Sequence, residues 1–443
     1  MKKGHIISAV AVFLIAIGVY YFQNFEAETP PLWQKSYDFK IYSDPIVVGD
    51  KSYFVGGDKG VNKHFIFETD SSGEITAQTP ELPATPFHPE LIGKHLVVAD
   101  AGRMTRAFAV PGLSIIWEQG SEQFFKIKPV KLDENRVLVT GNHKTLFCIN
   151  VSTGDPEWDC ALETPIVSCG ADKYIICLHQ DPASSEEDSY CATAINPETG
   201  AIAWRITELE NTPPLFAENI CVLSSKGNHT IILEQRSGNI MLKNPDNRFK
   251  PIKILETYLL TLSKDKTNLV VSSLESGNSW DINLQTPFQE AIKIKDTIFI
   301  ADKKTLFASN IANGHKKWRM NLQDIYTLSH LRGGLFVTYK EYFTSRTTYG
   351  KFINPESSEV LWTAFGEQLF MRPSPMKNGD YLASYNGKVR LMPLVGPKTI
   401  SSVNSDSVTV NDPFEKLDLN RRKNSQNEPL YSSEEDVISN DWK

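Results

Sequence analysis

The chain has 443 residues, of which 41% are hydrophobic and 22% are charged, and its formal net charge at pH 7 is −7. This composition is typical of globular proteins and excludes a chain that is disordered throughout. The acidic balance argues against a dedicated nucleic-acid-binding protein, since such proteins carry a basic surface. The length allows roughly two to four ordinary domains or one large β architecture.

The first predicted element is an apolar segment over residues 6–22, which contains no charged residue. As a helix it would span roughly 26 Å, close to the thickness of the hydrocarbon core of a bilayer. Lys2 and Lys3 precede it, so the positive-inside rule leaves residues 1–5 in the cytoplasm as a stub and exports the rest. We predict a signal anchor over 6–22, a linker over 23–32, and a single-pass membrane protein with its main domain on the periplasmic or extracellular side.

A cleaved signal peptide is the alternative reading of the same segment. Cleavage requires small residues before the cut, and Phe25 stands where a small residue is needed. No cysteine directly follows the apolar run, which argues against a lipid-modified amino terminus. The sequence therefore favours an uncleaved anchor.

An internal repeat organises residues 33–396. A turn glycine precedes a tryptophan by four residues at Gly154 and Trp158 and again at Gly200 and Trp204. Leu242 takes the place of the tryptophan in one copy, and Ala77 in a weak first copy. From Ala77 to Trp362 the corresponding positions lie 38 to 46 residues apart, close to one four-stranded propeller blade of about 40–45 residues. The recurring tryptophans are Trp33, Trp117, Trp158, Trp204, Trp280, Trp318 and Trp362, and the turn glycines are Gly154, Gly200, Gly238, Gly277 and Gly314.

A second pattern supports the same period. Short runs of β-branched and aromatic residues bounded by turn residues, such as 137–139 and 297–300, precede each turn and predict strands. Nine such runs can be counted, whereas propellers usually have four to eight blades. We therefore predict an all-β propeller of eight or nine four-stranded blades.

The tryptophans have a structural role in this interpretation. We expect each indole to fill the wide gap between the outer edges of neighbouring blades, since Trp buries a large area, while glycine accepts the positive φ of the turn. The last unit lacks an outer strand of its own, and the residues around Trp33 can supply it. Such closure removes an open sheet edge and makes binding by strand addition less favourable.

The frame of Thr153-Gly154 with Trp158, and of Thr199-Gly200 with Trp204, resembles the PQQ-like (quinoprotein-type) repeat. The resemblance extends over about residues 30–396 and implies a propeller fold in which eight blades are favoured over nine, but the fold alone does not imply a function. One branch of that family contains dehydrogenases that bind pyrroloquinoline quinone and calcium. The other contains non-catalytic propellers, including a lipoprotein that helps to assemble outer-membrane β-barrels. A single export signal before one propeller is more similar to the second branch.

The sequence contains no recognisable catalytic or metal-binding motif. No two cysteines are adjacent, so the disulfide of adjacent cysteines found in the dehydrogenase branch has no counterpart, and no haem-attachment or zinc-protease motif occurs. We therefore predict no enzyme activity, no cofactor and no metal site. A quinone-dependent oxidoreductase remains the main alternative.

All six cysteines lie between residues 148 and 221. An even number in an exported chain favours disulfides. Cys148 and Cys160 are symmetric about the Gly154 turn, and Cys177 and Cys191 flank a polar loop. Both pairs are candidate disulfides, with six buried thiols as the alternative.

The tail over residues 397–443 is rich in Ser, Asn, Asp and Glu, and we predict that it is disordered. The whole pattern predicts a membrane-anchored, exported propeller that serves as a protein–protein interaction scaffold. Its expected partners are other envelope proteins, with outer-membrane protein assembly as a specific form of this role. An oxidoreductase or an extracellular ligand-binding sensor is the alternative.

Overall fold

The structure, a computed structural model, describes residues 32–392 without 59–62, 83, 85, 87, 101–102, 121–127, 141–143, 187, 228, 245–247, 332–333, 341–346, 368–373, 376–380 and 386–387. The described residues form antiparallel strands and contain no helix long and apolar enough to cross a membrane. The predicted stub 1–5, anchor 6–22 and tail 397–443, and all of the linker except Leu32, lie outside these residues.

The strands group into nine units that follow one another along the chain. Strand β1 (Trp33–Ser36) stands apart at the start of the described chain. Unit one contains β2 (Phe39–Ile41), β3 (Ile46–Val48), β4 (Lys51–Asp58), β5 (His64–Thr69) and β6 (Ile75–Gln78); unit two contains β7 (Glu90–Ile92), β8 (His95–Ala99), β9 (Met104–Ala109) and β10 (Ile115–Gly120); unit three contains β11 (Val130–Lys131), β12 (Arg136–Thr140), β13 (Thr145–Asn150) and β14 (Pro156–Ala161).

The next three units have the same order of strands. Unit four contains β15 (Ile166–Ala171), β16 (Ile175–Gln180), β17 (Tyr190–Ile195) and β18 (Ile202–Leu209); unit five contains β19 (Leu215–Ala217), β20 (Ile220–Ser225), β21 (His229–Glu234) and β22 (Ile240–Asn244); unit six contains β23 (Phe249–Leu255), β24 (Tyr258–Ser263), β25 (Asn268–Ser273) and β26 (Ser279–Asn283). Units four and five share one sheet through a single pair, Leu209 with Ser225.

The last three units complete the series. Unit seven contains β27 (Phe288–Ile294), β28 (Thr297–Asp302), β29 (Thr305–Asn310) and β30 (Lys316–Asn321); unit eight contains β31 (Ile325–Leu331), β32 (Gly334–Lys340), β33 (Thr347–Ile353) and β34 (Val360–Glu367); unit nine contains β35 (Ser374–Pro375), β36 (Tyr381–Tyr385) and β37 (Lys388–Met392). The outer strand of unit nine is β1, whose Trp33 pairs with Leu391, so the closure predicted from the sequence is confirmed.

The hydrophobic core lies between neighbouring units. The second strand of a unit, such as β16 or β28, is buried on both faces because another sheet packs on each side. Eight core clusters among the described residues join units one to two through seven to eight in succession and join unit nine to unit one. In the last of these, Phe54 and Phe67 of unit one meet Val389 and Leu391 of unit nine. This arrangement of wedge-like sheets is that of a β-propeller.

Candidate functional site

The outer rim of the propeller is held by one contact that recurs from unit to unit. The indole Nε1–H of Trp117, on the outer strand of unit two, donates a hydrogen bond to the carbonyl oxygen of Val151 in the turn of unit three, at 2.7 Å. The same bond joins Trp158 to Pro197 at 3.0 Å, Trp204 to Gln235 at 2.7 Å, Trp280 to Ile311 at 2.8 Å and Trp318 to Pro355 at 2.9 Å. Each of these tryptophans thus closes the rim between its own unit and the next. The side chains of Trp33 and Trp362 lie outside the described residues.

The indole of each unit packs directly on the turn glycine of the next unit. Gly238 has a φ of +70°, and a Cβ atom there would lie 2.7 Å from Cγ of Trp204. Gly154, Gly200 and Gly314 are covered in the same way by Trp117, Trp158 and Trp280. Both the left-handed backbone and the close approach therefore require glycine. At the turn under Trp318 the corresponding residue is Ser358, with a φ of +61°.

Two boundaries lack the tryptophan, and the boundary between units one and two has a substitute. Ala77 packs against the core cluster between those units. The carboxylate of Glu68, which is buried, accepts hydrogen bonds from the Gly112 amide at 2.6 Å and from the Thr76 hydroxyl at 2.7 Å. Although burial alone raises the pKa of a carboxyl group, the hydrogen bonds from Gly112, Thr76 and Tyr53 outweigh it and lower the pKa of Glu68. A charged hydrogen bond here joins one unit to the turn of the next.

The boundary between units five and six has no such substitute. Leu242 stands where the tryptophan would be, and none of the residues that the structure describes lies within 4 Å of the Cβ position of Gly277, the turn glycine of unit six. Ile240, Met241 and Leu242 are 52%, 62% and 54% exposed. We call these three side chains, together with the uncovered Gly277, the open rim.

The strand that carries the open rim differs from the other outer strands. All five residues of β22 are exposed, whereas β14, β18, β26 and β30 each turn two or more residues toward the next unit. Lys243 is the one charged residue of β22, as Asp281 is of β26, whereas β14 and β30 carry charged residues on both sides of the tryptophan. Among the described residues β22 pairs only with β21. Charges on an edge strand disfavour pairing with another chain, and β22 combines a single charge with three exposed apolar side chains.

The structure does not bring the predicted cysteine pairs together, and it shows all six cysteines buried and none in a disulfide. The hairpin is centred before Gly154, with Ile149 opposite Pro156, so Cys148 opposes Trp158 and Cys160 opposes Leu146. On the next hairpin Cys191 opposes His179, two residues from Cys177. Symmetry about a turn thus gave the wrong partners by two residues in both cases.

The structure brings a different pair together. Cys169 on β15 directly opposes Cys177 on β16, and their Sγ atoms lie 2.7 Å apart. The sequence prediction missed this pair because it considered the turn at Gly154 and the polar loop between Cys177 and Cys191, and not the first hairpin of unit four. Within the part of the chain that the structure describes, no group of three or more His, Cys, Asp or Glu side chains is placed to hold a metal ion.

Comparisons with known proteins agree with this geometry. Residues 100–215 match the family model described as outer membrane protein assembly factor BamB. The fold is similar to that of BamB from Moraxella catarrhalis, with 13% sequence identity and a TM-score of 0.50 over 69% of this chain and 95% of that one. It is also similar to that of the dihydro-heme d1 dehydrogenase NirN, with 11% identity and a TM-score of 0.51 over 77% of this chain and 76% of that one. No curated protein matches the sequence. At these identities the structural likeness establishes the fold alone, and the predicted resemblance to the PQQ-like repeat family is confirmed.

Proposed function

From a propeller with PQQ-like repeats, matched over residues 100–215 to the BamB-type model, we propose a membrane-anchored, exported scaffold that binds other envelope proteins. The repeat family supports a protein-interaction scaffold at the coarse level. Anchoring by residues 6–22 rests on the apolar, charge-free segment and the lysines before it. A role in outer-membrane protein assembly is the specific form of this proposal, since the matched model describes an assembly factor of that kind.

The open rim is the observation that carries the proposal. Three consecutive apolar side chains, each more than half exposed, occupy an outer strand whose second edge has no partner among the described residues. Leu242 pairs with Ile232 on the face toward unit six. Ile240 pairs with Leu233 on the face toward unit four. Exposed apolar side chains concentrated on one strand favour an interaction site. An extended segment of a partner can add to β22 as a fifth strand of unit five while its apolar side chains cover Leu242 and Gly277.

This mode of binding differs from the expectation that ring closure disfavours strand addition. Closure by β1 covers the edge of β37, yet the outermost strand of each unit still faces outward. In most units charged residues and a docked tryptophan protect that edge, but unit five has neither on β22 beyond Lys243. We include strand addition at unit five in the proposal for this reason.

We further propose that the nine units form one nine-bladed ring. Core clusters join eight successive pairs of units, including unit nine with unit one. Ser374 Oγ also donates a hydrogen bond to the Pro45 carbonyl oxygen, and Lys35 forms an ion pair with Glu74, so unit nine contacts unit one at two further places. Image averaging of the purified domain by electron microscopy tests this proposal, and a ring of eight blades would contradict it.

The test of the scaffold uses matched substitutions on two outer strands. Ile240→Asp and Ile202→Asp occupy the same position in their repeats, two residues after the turn glycine, and the two isoleucines are 52% and 48% exposed. Full-length chains are isolated from solubilised membranes, and co-purifying envelope proteins are quantified. We expect one envelope protein to co-purify with the wild-type chain in stoichiometric amount. Ile240→Asp should reduce the amount of that protein at least tenfold, and Ile202→Asp should leave it unchanged.

Three results would contradict the proposal. If the partner is lost from both variants, or from neither, the open rim is not the binding site of the partner. Reduction of a dye by the purified chain in the presence of pyrroloquinoline quinone and calcium would instead establish an oxidoreductase. Extraction of the full chain from membranes by alkaline carbonate would contradict the anchor.

A further inference from the structure

The first hairpin of unit four brings two thiols into contact. Cys169 and Cys177 are directly opposed in the register of β15 and β16, and their sulfur atoms lie 2.7 Å apart, closer than two non-bonded sulfur atoms can rest. A disulfide needs a separation of about 2.05 Å, so the sulfur atoms have only a fraction of an ångström to move. Opposed positions on antiparallel strands bring Cβ atoms close to the range that a disulfide spans.

The surroundings of the pair favour a structural role for these thiols over metal binding or nucleophilic chemistry. Cys169 and Cys177 are 6% and 0% exposed and belong to one apolar cluster with Leu138, Leu146 and Ile166. Among the described residues no metal-binding group includes them. Burial raises the pKa of the Cys177 thiol well above its usual value, and the neighbouring Cys169 raises it further. Because the thiolate is the reactive form, the folded core gives Cys177 little nucleophilic character.

We propose that Cys169 and Cys177 form an intrachain disulfide that locks the hairpin of β15 and β16. The two thiols lose two protons and two electrons, and one S–S bond forms. The electrons pass to a disulfide-bearing oxidant, which is reduced to two thiols by thiol–disulfide exchange. Exchange takes place while the hairpin is paired but the core is still open, before burial suppresses the thiolate. Cys148, Cys160, Cys191 and Cys221 stay reduced.

The proposed bond lies where unit four contacts unit three. Strand β15 is the first strand of unit four, and its residues Ile166 and Cys169 pack against Cys148 and Cys160 of unit three. A covalent link between β15 and β16 fixes the face on which unit three docks. The bond restricts the unfolded chain and so stabilises unit four. This inference does not depend on the open rim or on any partner.

The test is a thiol map of the full-length protein. Chains refolded with oxidised glutathione are denatured, alkylated, digested and analysed by mass spectrometry with and without reduction. We expect a linked pair of peptides that contain Cys169 and Cys177, a mass lower by two hydrogens, and full alkylation of the other four cysteines. Six alkylated cysteines without reduction, or a link that includes Cys160, would overturn the proposal.

Matched variants separate the bond from a general effect of losing a buried thiol. Cys177→Ser should abolish the link, free Cys169 for alkylation and lower the melting temperature of the oxidised protein. Cys221→Ser removes another fully buried thiol and should leave the link intact. The decisive comparison uses wild-type protein with and without reductant, which requires no variant to fold. Reduction should lower the wild-type melting temperature to that of Cys177→Ser, and an unchanged melting temperature on reduction would contradict a stabilising bond.

Discussion

Two neighbouring boundaries of the propeller show what the recurring tryptophan does. Between units four and five, Trp204 lies on Gly238 and donates a hydrogen bond to the Gln235 carbonyl oxygen. Between units five and six, Leu242 leaves Gly277 uncovered and is itself 54% exposed. The two boundaries share the turn and its positive φ, so the side chain at the position of Trp204 and Leu242 decides whether the turn glycine is covered.

The largest expected effect comes from truncating the indole at the closed boundary. Trp204→Ala removes the packing on Gly238 and the hydrogen bond to Gln235, and we expect a loss of about 3 kcal/mol in the free energy of unfolding. Leu242→Ala, the control at the open boundary, should change it by less than about 0.5 kcal/mol, because Leu242 is mostly exposed. Urea denaturation of the two variants measures the difference. Equal losses would mean that Leu242 packs as the tryptophans do.

The two turn glycines give the next contrast. Gly238→Ala and Gly277→Ala both place a Cβ atom on a left-handed backbone, with φ values of +70° and +72°, and each should lose about 1 kcal/mol for that reason. At Gly238 the new Cβ would also lie 2.7 Å from Cγ of Trp204, which should add about 2 kcal/mol from overpacking. Thermal and urea unfolding of the pair isolate the contribution of the indole contact. A larger loss for Gly277→Ala would contradict the open boundary.

The next prediction concerns Glu68, whose carboxylate takes the place of the tryptophan at the boundary of units one and two. Its pKa lies below the ordinary value of 4.5 in the folded chain, so its stabilising contribution is present above that value and is lost as the pH falls through the folded pKa. We expect Glu68→Gln to lower the free energy of unfolding by about 1.5 kcal/mol at pH 7. The difference from wild type should shrink as the pH falls below 4.5. A pH-independent difference would indicate that the charge of Glu68 contributes nothing.

The smallest expected effect is a gain. Leu242→Trp places an indole opposite Gly277, with the Leu274 carbonyl oxygen at the position that accepts the bond in other units, since it lies three residues before the glycine. We expect a gain of about 1 kcal/mol in the free energy of unfolding and a loss of partner binding. Stability measurements and co-purification on the same protein check both parts. Greater stability with unchanged partner binding would show that the open rim does not bind the partner.

Much of this architecture can be predicted from the repeat period of the sequence. The frame of Gly200 and Trp204 predicts the turn, the strand after it and the repeat length, because the hydrophobic pattern and the turn glycine act locally. The replacement of tryptophan by Leu242 was visible in the sequence as well. The sequence does not reveal that its neighbours Ile240 and Met241 remain exposed, since exposure depends on the packing of unit six.

Register and long-range contacts are the parts that could not be predicted. Cys148 and Cys160 looked opposed, but the hairpin is centred before Gly154, so their partners are Trp158 and Leu146, each two positions away from the expected one. In unit six the step from turn glycine to tryptophan is one residue shorter, and there Val271 pairs with Trp280 without a bulge. The hydrogen bond from Gly112 to Glu68 joins residues 44 positions apart, beyond the reach of local patterns.

The most direct test of the account places a photo-crosslinking residue at Met241 and, as a matched control, at Ala203, which occupies the same position three residues after the turn glycine in unit four. Irradiation of membranes that contain the full-length chain should yield one defined adduct at position 241 and none at position 203. Equal adducts at both positions, or an adduct at 203 alone, would contradict the open rim as the docking site.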